Sequence, residues 1–162
     1  MKKRYLLILS LLVFLVQITL AQQIRIVGII PNLILIVIVM SVLIFDDKEG
    51  IYLAIAFGML QDIFVSKALG IFILIYSIIA ISLYSVKDFL LNDYKLSALL
   101  GIFFSTIFYH LMFSLICILL RDTTRTIQFI IEITLIETIY NTLIMFVVYG
   151  FVFKHTKGYE MR

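Results

Sequence analysis

Asp62 is the side chain in this sequence whose chemistry most needs a reason. It lies in Gly58-Met59-Leu60-Gln61-Asp62-Ile63-Phe64, among neighbours that are mostly apolar. At the centre of a membrane helix a carboxylate costs roughly 2.5–3.5 kcal/mol on insertion scales. An acid in that setting is paired, faces a protein interior, or reacts. A second candidate pair comes later. His110 precedes the midpoint between Thr123 and Thr124 by as many residues as Glu137 follows it. In a helical hairpin the two sit at similar depth, each ~15 Å below the hairpin's end at 1.5 Å per residue.

The neighbours of His110 and Glu137 form stripes. Thr106, His110, Ser114 and Cys117 share one helix face, and so do Thr134, Glu137, Thr138 and Asn141. Two such stripes on adjacent helices face each other or a shared interior. Histidine and glutamate at this depth are what a proton relay or a ligand site would use. The expectation is instead a structural clamp. No row of acids crosses the membrane, and no pair of interrupted helices recurs at corresponding positions. Interhelical bonds of this kind average about 0.6 kcal/mol, with ~1–2 in model peptides. Glu132 points away from Glu137, and Arg121 or Arg125 is its expected partner at the rim.

Catalytic spacings are missing. The chain has no His-Glu-x-x-His, no Gly-x-Ser-x-Gly and no phosphate-cradling glycine loop. His155 lies in a basic tail, away from any metal-ligand spacing. Asp46, Asp47, Asp88, Asp93 and Asp122 all fall in polar breaks, so Asp62 has no buried second aspartate for intramembrane proteolysis. The chain therefore reads as a non-enzyme with no cofactor and no metal. Its net charge of +3 is spread over several breaks and gives no basic cluster for nucleic acid.

The elements that position these residues follow from composition. Of 162 residues 64% are hydrophobic, with one proline and no tryptophan, and the mean hydropathy is +1.18. An ordinary soluble domain is about 45–50% apolar, so lipid must be the solvent for most of this surface. The single cysteine, Cys117, rules out an internal disulfide and reads as a small buried hydrophobe. Charged residues punctuate six apolar segments, at about 5–20, 29–45, 51–65, 69–86, 96–120 and 127–153. The apolar residues run nearly all round each segment, as in membrane-embedded helices. Short breaks make sequential helices antiparallel neighbours. The chain thus reads as one compact all-α transmembrane domain.

Orientation follows from the lysines and arginines. With the N-terminus in the cytoplasm, Lys2, Lys3, Arg4, Lys48, Lys87, Lys95, Lys154, Lys157 and Arg162 lie inside, and Arg25, Lys67, Arg121 and Arg125 outside. That distribution puts both termini in the cytoplasm. The opening Met1 to Ala21 also has the form of a secretory signal, with Thr19-Leu20-Ala21 as a cleavage site. Retention as a first helix is the expectation, because further spans follow at once. The aromatic residues, nine tyrosines and fourteen phenylalanines, read as interfacial anchors and packing.

Two details bear on the second and third spans. Pro31 fits a first-turn position, where its missing N–H is harmless, and Asn32 is placed to bond the free backbone there. Gly58 and Gly70 would allow helices to approach closely near Asp62. Lys67 is the simplest partner for Asp62, five residues on.

The runs Ile30-Pro31-Asn32-Leu33-Ile34-Leu35 and Gly58-Met59-Leu60-Gln61-Asp62-Ile63-Phe64, the latter followed by Leu69-Gly70, give the chain a family likeness. It resembles the rod shape-determining protein MreD family over nearly its whole length. That family typically has a Pro-Asp/Asn-Leu start and a Gly-Leu-Leu-x-Asp run before a Leu-Gly. Met59 stands here where leucine is common. The resemblance implies a non-enzymatic inner-membrane scaffold of rod-shaped bacteria. It would work with an MreC-like protein and, through it, with an MreB-like cytoskeleton and the synthases of peptidoglycan elongation. It also implies a fold similar to the substrate-binding subunits of energy-coupling-factor transporters. That similarity leaves a vitamin-type transporter subunit as the alternative function. The structural or partner-contact residues expected are Pro31, Asn32, Gly58, Asp62, Gly70, His110, Glu137 and Asn141. A His110–Glu137 clamp predicts that His110→Leu destabilises the protein about as much as His110→Leu with Glu137→Leu. Additive losses in thermal melts would count against it.

Overall fold

The computed structural model describes residues 3–19, 23, 28–43, 48–65, 69–89, 94–120 and 127–156. They form six α-helices: α1 (Lys3–Ile18), α2 (Leu33–Leu43), α3 (Glu49–Phe64), α4 (Ile71–Val86), α5 (Tyr94–Leu119) and α6 (Ile127–Thr156). A 3-10 turn, Lys87–Phe89, extends α4. Three stretches are long and apolar enough to cross a membrane: Ile71–Phe89, Lys95–Leu119 and Ile127–Gly150. The charged breaks seen in the sequence separate the helices, and most helix ends fall within two residues or so of the expected ones.

The exception is the second segment. Expected from 29 to 45, it is an eleven-residue helix beginning at Leu33. Pro31 is therefore not in the first turn but two residues ahead of the helix, in buried irregular chain. The cause is local. Gly28 takes a left-handed φ of 80°, and a proline keeps the residue before it out of the helical region. What remains is the centre of the molecule. Nine of the eleven α2 residues are buried, and α1, α3, α4 and α5 pack around it.

α3 and α4 form a tight antiparallel hairpin. A Cβ built on Gly58 would lie 2.5 Å from the Ile73 Cα and 2.7 Å from its nitrogen. Only a glycine lets the two backbones meet there. In lipid the association of helices rests on this kind of close packing and on interhelical hydrogen bonds. α1 joins the same side, with the Phe14 ring 6.5 Å from Phe57 and 5.9 Å from Phe64. α5 and α6 form a second, longer hairpin against α2 and α4. Its seam with α4 is aromatic, with Phe72 stacked on Tyr109 at 6.4 Å and on Phe113 at 5.9 Å.

Gly58→Ala should lower stability by about 1–3 kcal/mol, the usual cost of overpacking a tight contact. The neighbour is backbone and cannot swing away. Gly150, which has no atom within 4 Å of a built Cβ, is the control. Thermal melts in detergent should show a lower midpoint for Gly58→Ala and an unchanged or higher one for Gly150→Ala, where alanine only adds helix propensity.

Candidate functional site

Asp62 lies one turn beyond Gly58 on the same face of α3, and its side chain is buried. Its Oδ1 accepts the Phe72 N–H at 3.0 Å and its Oδ2 the Ile73 N–H at 3.1 Å. These are two of the N–H groups that a helix start leaves without an internal partner, and the carboxylate also meets the positive end of the α4 dipole. Asp62 is thus an N-terminal cap delivered from a neighbouring helix. The expected partner, Lys67, lies outside the described residues. Gly70 has a different role from the close approach expected of it. It is the residue before α4 and holds a φ of 100°, and a Cβ there would meet nothing within 4 Å. Its use is left-handed backbone, which glycine adopts without steric cost.

A second helix start, that of α2, is handled by Asn32, Gln17 and Asn141, with Tyr76 and Gln61 bonded behind Asn32. Asn32 is the cap proper: its Oδ1 accepts the Leu35 N–H at 3.0 Å, the bond that defines a good cap. From α1, Gln17 takes the Leu33 N–H on its Oε1 at 2.8 Å and donates its Nε2 to the Pro31 carbonyl at 3.0 Å. From α6, Asn141 accepts the Asn32 N–H on its Oδ1 at 2.9 Å. On the α4 side, Asn32 Nδ2 donates to the Tyr76 hydroxyl at 3.2 Å, and that hydroxyl donates to Gln61 Oε1 of α3 at 2.8 Å.

Asn141 connects this cap to the clamp. Because its Oδ1 is an acceptor, its Nδ2 donates to Thr106 Oγ1 at 3.2 Å and, more weakly, to Glu137 Oε1 at 3.5 Å. Glu137 Oε2 lies 3.0 Å from His110 Nε2. An ionised Glu137 has no proton to give, so His110 then carries the shared proton on Nε2. The equal-depth spacing thus ends in a contact between His110 and Glu137, both buried. The outer parts of the two stripes join less. Ser114 and Cys117 are half-buried, so the cysteine is not the enclosed hydrophobe expected. Thr134 bonds back to the Ile130 carbonyl of its own helix at 2.7 Å. The Thr138 hydroxyl is buried without a hydrogen-bond partner. Glu132 is exposed and accepts from Gln128 at 3.0 Å, while Arg121 and Arg125 lie outside the described residues.

The result is one polar chain linking α1, α2, α3, α4, α5 and α6 through Gln17, Asn32, Gln61, Tyr76, Asn141, Thr106, Glu137 and His110. Thr106 and Asn141 stand at the midpoints of α5 and α6, so α2 begins halfway along the longest helices. Gln17 and Tyr76 were not legible as members. Gln17 is the lone amide in the first apolar run, which was a usable signal; Tyr76 is one tyrosine of nine. Among the described residues no three His, Cys, Asp or Glu side chains cluster as a metal ion would require. The described bonds join helices to one another.

Removing the Asn141 amide orphans a buried backbone N–H, at about 1–3 kcal/mol. Removing the Tyr76 hydroxyl unpairs one longer bond from the Asn32 side-chain amide and leaves half-buried Gln61 free to turn elsewhere, whereas Asn141 loses its bonds to Asn32, Thr106 and Glu137 together. Asn141→Leu should therefore destabilise the protein more than Tyr76→Phe in thermal melts. The reverse order would contradict the cap as drawn.

No curated protein and no solved structure matches the chain. The family model described as rod shape-determining protein MreD matches residues 2–157. That covers both motifs, every helix and the whole polar chain: the protein belongs to the MreD family.

Proposed function

We propose that the protein is a six-helix scaffold of the bacterial cell-elongation machinery, working with an MreC-like protein and, through it, an MreB-like cytoskeleton and the peptidoglycan synthases. The family match carries this reading. The polar chain supports it, because its groups are spent on one another across helices and not aimed at a reacting atom. In this reading all six helices cross the cytoplasmic membrane as one domain, with both termini in the cytoplasm, where most of the basic residues lie. α1 is retained as part of the bundle; the two bonds from Gln17 to the chain around Pro31 support that. Gly58, Asp62 and Gly70 hold the α3–α4 hairpin. Pro31, Asn32, Asn141, His110 and Glu137 hold the buried start of α2. Asp62 is only 2% exposed, so its effect on a partner is transmitted through the hairpin and not by contact.

The test is copurification with a tagged MreC-like protein from the same organism, in mild detergent. The two chains should elute together, and Asp62→Leu should lose the partner as its melting midpoint falls. Failure of the unaltered protein to retain the partner would overturn the scaffold. A vitamin copurifying in stoichiometric amount without the partner would point to the transporter alternative.

A further inference from the structure

Two exposed residues of α6 are of little use to the chain itself. Glu132 lies in the second turn of the apolar stretch Ile127–Gly150, and its described bond is to Gln128, one turn back on the same helix. An acid turned toward hydrocarbon costs free energy that an apolar residue would not. Gly150 is at the other end of that stretch, and a Cβ built on it would meet nothing within 4 Å. Glycine is among the poorest helix formers. At Gly58 a neighbouring backbone requires it; at Gly150 no contact inside the chain does.

The two residues lie on one line along the helix. Eighteen residues separate them, which is about five whole turns, or ~27 Å along the axis. Between them Leu135, Ile139, Leu143 and Phe146 fall within about 60° of that line, at ~100° per residue. They are 59%, 61%, 60% and 51% exposed. The buried Glu137, Asn141 and Met145 lie on the opposite side of the helix. α6 thus turns outward a stripe nearly as long as a bilayer's hydrocarbon is thick, ~30 Å. It has an acid toward one end, large apolar side chains between, and a glycine at the other end.

Lipid accounts for the apolar middle of this stripe but not for its ends. On α3 and α5 the exposed residues beyond the first turn are all apolar, as lipid alone requires. Membrane helices associate where a small residue lets backbones approach and a polar side chain bonds across. This stripe has one of each, and the acid calls for a basic group opposite it. A second copy of the chain is a poor occupant. Two copies share one orientation in the membrane, so pairing α6 with α6 sets Glu132 against Glu132, and like charges disfavour that contact.

We propose that this face of α6 docks a membrane-spanning helix that presents a lysine or arginine at the level of Glu132 and packs closely at Gly150. This rests on the scaffold reading, in which the MreC-like protein supplies that helix.

The complete protein is copurified with the tagged MreC-like protein in mild detergent. Glu132→Leu and Gly150→Leu should each retain about tenfold less partner or worse, a loss of one modest contact. The melting midpoint of the isolated protein should not fall in either variant, because both positions are exposed and leucine suits both lipid and helix. In a second measurement p-benzoylphenylalanine replaces Ile139 on the stripe or Ile81 on the exposed side of α4. Ultraviolet light should join the partner to position 139 and not to position 81.

Unchanged retention in either variant overturns the proposal and leaves the scaffold reading standing. So does the absence of a crosslink to the partner from 139, or an equal one from 81. Crosslinks from 139 between two copies of the chain would make the occupant a second copy, and overturn it likewise. If the midpoint of a variant falls, the crosslinks decide. If the unaltered protein retains no partner, the scaffold reading falls and the proposal with it.

Discussion

The start of α2 is the constraint on which the rest of this structure depends. A helix leaves its first N–H groups without internal partners. At a protein surface water takes them, but in the interior of a membrane protein nothing does unless side chains are supplied. α2 begins level with the midpoints of α5 and α6, enclosed by its neighbours. Its cap is therefore assembled from Asn32 itself, Gln17 of α1 and Asn141 of α6. Each of these bonds fixes the position of one helix relative to another. Once Asn141 must present its oxygen to Asn32, its nitrogen faces Thr106 and Glu137, and Glu137 in turn meets His110. A local requirement of one short helix thus orders the interior of the whole bundle.

The same physics acts a second time at α4. There the cap is a carboxylate from α3, and the approach that brings it into range is made possible by Gly58. Both motifs that give the chain its family likeness are therefore parts of capped helix starts. Pro31-Asn32-Leu33 ends an irregular segment and starts α2. Gly58 to Asp62, with Gly70, seats the start of α4. Short apolar motifs of this kind carry no catalytic chemistry. They specify where a helix begins inside a non-aqueous bundle and which neighbour supplies the missing partner.

Legibility from the sequence was uneven for physical reasons. Helix positions could be read because charged residues are costly in lipid and so collect at the breaks. The contact of His110 with Glu137 could be read because an antiparallel hairpin converts equal spacing into equal depth. The start of α2 was misplaced by four residues, since Ile29 and Ile30 are as apolar as the helix that follows and hydropathy does not distinguish buried coil from buried helix. Gln17 and Tyr76 went unassigned for a related reason. When helices are apolar all round, no face marks the interior, so a lone polar side chain shows that it needs a partner but not where that partner is. Lys67 looked like the partner of Asp62 because it is near in sequence; the described bonds of Asp62 go to the backbone N–H groups of Phe72 and Ile73, ten and eleven residues on in α4.

Sequence alone determined the solvent, the number and approximate extent of the helices, and the residues that needed partners. Those properties follow from the cost of placing each side chain in lipid, a cost that depends on the residue and little on its surroundings. Tertiary structure decided the partners. It placed Asp62 at the start of α4 and put Gln17 and Asn141 on the start of α2. These depend on distances between segments far apart in the chain, and no residue type or spacing encodes such distances until the backbones have packed.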